Sequence, residues 1–189
     1  MFSELLYQED SVEEQKQSIR AAAKGLSSSA IIEQRAAING LRYYMGTASE
    51  HAAVILGVEA LGSYVNGPTP AMNFENTPIT EDMAYKVMID TGKEHSHPAV
   101  KQAVISQFLN GLFGSKDHSG QRHTKLSKGI AEVLSTCHPD TLEKPFIHTV
   151  GEKLEIFSSN GAHPEAKHHA IVAQEFVRSR VKPKLVEVH

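Results

Sequence analysis

Chemistry in this chain would have to come from its histidines and carboxylates. Glu94, His95 and His97 stand together, Asp117 and His118 precede His123, and Glu165 lies three and four residues before His168 and His169. Imidazole nitrogen and carboxylate oxygen are donors that suit zinc or non-haem iron. Donors on a helix share a face only at spacing three or four, a rule that Glu165 and His169 meet. The chain has no His-Glu-x-x-His run and no cysteine pair. The metal reading therefore rests on His95, His97, His118, His123, Glu165 and His169, with zinc or iron as the ion. Nucleophilic catalysis has less to build on, because Cys137 and His138 are chain neighbours and chain neighbours do not face each other. A structural thiol is expected there. No Gly-rich phosphate loop, Gly-x-Ser-x-Gly elbow or dinucleotide fingerprint occurs, so no catalytic residue is assigned.

Charge is distributed unevenly around these residues. The chain of 189 residues carries a formal charge of -3, but residues 1–94 hold 7 Lys and Arg against 13 Asp and Glu, while the remainder holds 12 against 9. Of the 11 histidines only His51 lies in the first part. Protonating every imidazole would carry the charge from -3 to +8, so a contact that responds to mild acid is conceivable. The basic residues Lys116, Arg122, Lys125 and Lys128, followed by Lys167, Arg178, Arg180, Lys182 and Lys184, could line up as a phosphate-attracting stripe. A pI near 6.4 and the lack of interleaved aromatics argue against a nucleic-acid module and leave an acidic protein partner as the better fit.

The elements that must position these groups read as helices. Ser11 and Glu14 have capping-box spacing; Ile19, Ala22, Ala23 and Leu26 follow on one face, and Gly25 is a stop. The serine run ending at Ser29 opens a helix carrying Ile31, Ile38, Leu41 and Met45 and closed by Gly46. Thr47 and Glu50 repeat the capping-box spacing ahead of residues 52–65, which should form the most buried helix, ended by Asn66-Gly67. Residues 67–79 read as a loop. A helix is then expected over residues 81–91, with Thr80 as cap and Gly92 as terminator. The dipeptide His-Pro at 97, 138 and 163 reads each time as a helix start, since proline suits the first turn. Pro145 implies a kink or restart in the segment that Pro139 opens.

Three organisational limits follow. One cysteine cannot form an intramolecular disulfide, which favours a cytoplasmic or other reducing compartment. Met1 to Leu6 lacks the basic and apolar regions of a signal peptide. The longest apolar stretch, Ala52 to Val58, has seven residues against the roughly 20 needed to span a bilayer. The chain divides by charge into an acidic helical part over 1–66, the loop over 67–79 and a His-rich basic part over 80–189, which could also form one continuous domain.

The fold class expected is all-α, with about seven or eight helices in an irregular bundle or a short antiparallel stack. His97-Pro98-Ala99-Val100-Lys101 is similar to His163-Pro164-Glu165-Ala166-Lys167, and short helix pairs with such starts resemble HEAT or armadillo repeats. That resemblance implies stacked helices with a binding surface. The functional expectation is a non-enzymatic interaction module: an adaptor, or a structural subunit that meets a protein partner or further copies of itself. Met72 and Phe74 in the loop, with Lys116, Arg122, Lys125 and Lys128, are its candidate contacts. The alternatives are a metal- or histidine-dependent enzyme in the second half and a helical nucleic-acid binder.

Overall fold

A computed structural model describes residues 11–67, 77–114, 120–138, 141–160 and 162–181. Its helices are α1 (Val12–Lys24), α2 (Ile31–Thr47), α3 (His51–Asn66), α4 (Thr77–Glu94), α5 (Pro98–Gly114), α6 (Gln121–Ser135), α7 (Lys144–Ser159) and α8 (Pro164–Val181), with a 3-10 turn at Gly25–Ser27. The all-α expectation holds, and no strand occurs among the described residues. No helix among them is long and apolar enough to cross a membrane. Met72, Phe74, Lys116, Asp117, His118, Pro139, Lys182, Pro183 and Lys184 lie outside the described residues.

Local signals decide several helix ends. The Ser11 backbone N–H donates to Glu14 at 2.7 Å, and the Ser11 hydroxyl accepts from the Glu14 N–H at 3.3 Å, so the capping box forms as read. The Ser11 N–H, and after it the Ser11 hydroxyl, hold the Glu14 carboxyl below its ordinary pKa. Pro98 and Pro164 open α5 and α8, and α3 ends at Asn66.

Elsewhere the packing overrules the local pattern. Thr47 is the last residue of α2, and its hydroxyl donates back to the Tyr43 carbonyl at 3.0 Å, so it caps nothing ahead of it. Helix α4 starts at Thr77, which turns residues 77–79 of the expected loop into helix and places Thr80 fully buried inside α4. Gly92 does not terminate α4, which runs on to Glu94. A Cβ at Gly92 would lie 2.8 Å from Val133 Cγ2, so its value is close approach of α6. Helix α7 starts at Lys144 with Pro145 in its first turn. That proline is a helix opener, and the helix begins at Lys144, inside the segment that the His138-Pro139 pair was expected to open.

The helices form two layers. Helices α1, α3, α5 and α7 lie side by side in one, and α2, α4, α6 and α8 in the other, and successive helices other than the pair α6 and α7 pack across the two. In the second layer the helices start at residues 31, 77, 121 and 164, separations of 46, 44 and 43. The steps are nearly equal. The His-Pro pairs miss this period because α5 and α8 belong to opposite layers.

One apolar cluster runs through the helices of the described residues, from Ile19, Ile38 and Leu61 through Met88 and Phe108 to Ile130, Leu154 and Ala173. The charge boundary near Glu94 therefore has no counterpart in the interior. Helix α3 is buried along Ala53, Val54, Val58, Leu61 and Val65, and α5 as deeply along Val100, Val104, Ile105 and Phe108.

Candidate functional site

Two features combine exposure with chemistry: the outward face of α2, and a corner where α2 and α4 end and α3 and α5 begin. On α2, Gln34, Ile38, Leu41 and Met45 turn inward. Spacings of four, three and four then bring Ile32, Ala36, Asn39 and Tyr43 together on the opposite side, and all four are exposed. Ile32 is 81% and Tyr43 66% exposed. The inward side is pinned by a polar knot. The Tyr64 hydroxyl lies 2.7 Å from Thr80 Oγ1 and 3.0 Å from Gln34 Oε1, and the Gln34 amide donates to the Ser28 carbonyl at 2.8 Å. Burial raises the Tyr64 pKa. The knot ties α2, α3 and α4 together and fixes which side of α2 faces out.

Beside the stripe stand Arg35 and Arg42, one helical repeat of seven apart. Neither forms an ion pair or hydrogen bond among the described residues, and Arg35 Nε is buried without a partner. Glu33, the one carboxylate of α2, accepts from the Ser28 hydroxyl.

The corner holds a cleft of about 320 Å³ lined by Arg42, Gly46, Asp90, Thr91, Glu94 and His95, among others. Beside it the imidazoles of His51 and His97 stack, with centroids 3.8 Å apart and planes 5° from parallel. His95 Nδ1 accepts from the His97 N–H at 3.1 Å, and His97 Nδ1 accepts from the Ala99 N–H at 3.2 Å. His97 thus caps α5, and the histidine of the His-Pro pair works as well as the proline. Burial lowers the His95 pKa, and His97, His51 and Lys101 push it further down. Lys101 is 5% exposed, and its amino group donates to the Gly92 and Lys93 carbonyls at 2.8 and 3.2 Å. It serves the C-terminal end of α4, where the helix dipole favours a positive group.

The structure therefore joins His95 and His97 and adds His51. His123 stands edge-on to Phe157, 5.4 Å between centroids. On α8, Glu165 raises the pKa of His169, but burial, His168 and Lys128 prevail and the net shift is downward. His118 lies outside the described residues. Among those residues no three His, Cys, Asp or Glu side chains converge so as to hold a metal ion. Cys137 is buried, its thiol 3.3 Å from the Val133 carbonyl.

Two of the basic candidates, Arg122 and Lys125, are committed internally. Arg122 pairs with Glu81 at 3.0 Å, Lys125 pairs with Asp82, and Lys93 of α4 pairs with Glu132 at 3.3 Å. These pairs advance together along α4 and α6, so the two helices run parallel. Lys128 is exposed on α6.

A second apolar surface lies in the other layer, where Phe113 of α5 (49% exposed) and Ile156 of α7 (52%) line one groove with Leu109 and Lys153. Sequence reading missed both surfaces. Exposed and buried apolar residues look alike in a sequence, although the spacing of Ile32, Ala36 and Tyr43, off the Ile38–Leu41–Met45 face, was a usable signal. Comparisons with protein-family models and with curated proteins gave no match.

Proposed function

We propose that this protein is a non-enzymatic interaction module, a short two-layer stack of helix pairs that presents outward faces to a protein partner. One observation carries the reading: large apolar side chains gather on outward faces of helices whose inward faces are already filled. Single exposed apolar residues are ordinary, but grouped ones mark contact surfaces. Here Ile32 and Tyr43 share the stripe on α2, and Phe113 and Ile156 share the α5–α7 groove. Tyr and Arg, the types enriched where binding energy concentrates, occur together on α2.

A photo-crosslinking amino acid placed in turn at Ala36, Phe113 and Lys125 of the full chain, in cells that express it, tests the reading. Covalent adducts with a second protein are expected from position 36 or 113, and few from 125, which already packs against α4. Absence of protein adducts from both 36 and 113 would overturn it.

A further inference from the structure

We propose that the outward face of α2 receives an acidic amphipathic helix of a partner protein. The proposal rests on the interaction reading above and names the occupant of one of its surfaces.

The stripe from Ile32 to Tyr43 spans twelve residues, about 16 Å at 1.5 Å of rise per step, which matches three turns of a docked helix. Its shape suits a helix. Ala36 sits between the larger Ile32 and Tyr43, leaving a shallow seat in which an apolar side chain can lodge, as ridges fit grooves when helices pack. Asn39 and the Tyr43 hydroxyl supply polar contacts within an otherwise uncharged strip.

The charges beside the strip select the partner's sign. Arg35 and Arg42 have no carboxylate partner among the described residues, and α2 itself offers only Glu33, which is engaged by Ser28. Asp90 and Glu94 line the cleft that Arg42 also lines but form no ion pair with it, so Arg42 remains open to a carboxylate arriving over α2. The seven-residue separation of the arginines is the repeat of a heptad, and carboxylates seven apart on a docked helix would face both. A guanidinium can hold a carboxylate through two parallel N–H donors, which adds register to affinity. The partner is therefore a helix with an apolar seam and acidic residues on one flank.

The probe is a designed helical peptide with a leucine seam and two glutamates seven residues apart, with a lysine version as control. Fluorescence anisotropy with the full chain should show binding of the glutamate peptide that weakens as salt rises, and at least tenfold weaker binding of the lysine peptide. Tyr43→Ala should weaken binding about tenfold. The double change Arg35→Glu with Arg42→Glu should reverse the preference between the two peptides. Arg42 and Tyr43 are exposed and Arg35 half-buried, and circular dichroism of each variant checks that it folds. Equal binding of both peptides, binding of neither, or no reversal in the charge-swapped variant would overturn the proposal. Self-association of the chain by sedimentation equilibrium, abolished by Ile32→Glu, would overturn it in favour of a second copy. Crosslinking from Phe113 alone would leave the interaction reading standing while this inference falls.

Discussion

On α6, Arg122 and Lys125 reach across to Glu81 and Asp82 of α4, whereas on α2 Arg35 and Arg42 meet no carboxylate among the described residues. Both pairs of cations lie in the same layer of helices. By sequence the α6 residues look like the binding stripe, because they sit in the basic half of the chain, and the α2 residues look incidental within an acidic half. The packing inverts this. A cation's availability is decided by the helix beside it, and for α6 that neighbour brings carboxylates 41 and 43 positions away. Two cations of the second half thereby hold carboxylates of the first, and a third pair, Lys93 with Glu132, joins the same helices with the signs reversed.

Removing cations in order of burial and measuring urea denaturation separates the committed ones from the available ones. Lys101→Ala should have the largest effect, about 3 kcal/mol, because it strips buried carbonyls of a charge-assisted donor and leaves a hole where the stem packed. Arg122→Ala comes next. Its pair with Glu81 is about one-fifth exposed on each side, 20% and 18%, so the loss should fall between the exposed and buried limits, about 1 to 3 kcal/mol.

Mild acid probes the corner separately from the ion pairs. His95 is kept neutral by burial and by His97, His51 and Lys101, and its pKa lies below the ordinary 6.5. Its contribution is complete above about pH 6.5 and is lost as pH falls through the lower folded value, because the unfolded chain takes up the proton first. Unfolding midpoints should fall between pH 7.5 and 5.5 in the wild type and fall less in His95→Gln. An equal slope in both would remove His95 as the cause.

The smaller effects test the contrast directly. Lys125→Ala, at an exposed pair, should cost less than about 1 kcal/mol. Arg42→Ala should leave stability within about 0.5 kcal/mol while weakening the glutamate peptide. Should Arg42→Ala destabilise the fold as much as Arg122→Ala, the distinction between committed and available cations would collapse.

Legibility in the sequence followed the range of the interaction. Ser11 with Glu14 was readable because both partners of the capping box lie within one turn. Thr47 with Glu50 has the same spacing, yet α2 runs through Thr47 and its hydroxyl bonds backwards. Thr80 looked like a cap because nothing local shows that Tyr64 and Gln34 wait for its hydroxyl. The adjacency of His95 and His97 was visible, but His51, the one histidine of the first half, was not connected to them, since stacking depends on where α3 begins relative to α5.

By itself the chain determined that its segments are helical, which side of each helix is apolar, and where Ser11, Pro98 and Pro164 begin a helix. Those properties arise from backbone hydrogen bonds and side-chain spacing within three or four residues. Only the tertiary structure decided which polar groups are spent and which remain. Stacking helix pairs 43 to 46 residues apart chooses neighbours that no local pattern records, engaging Arg122 and Lys125 of α6 and leaving Arg35 and Arg42 of α2 open.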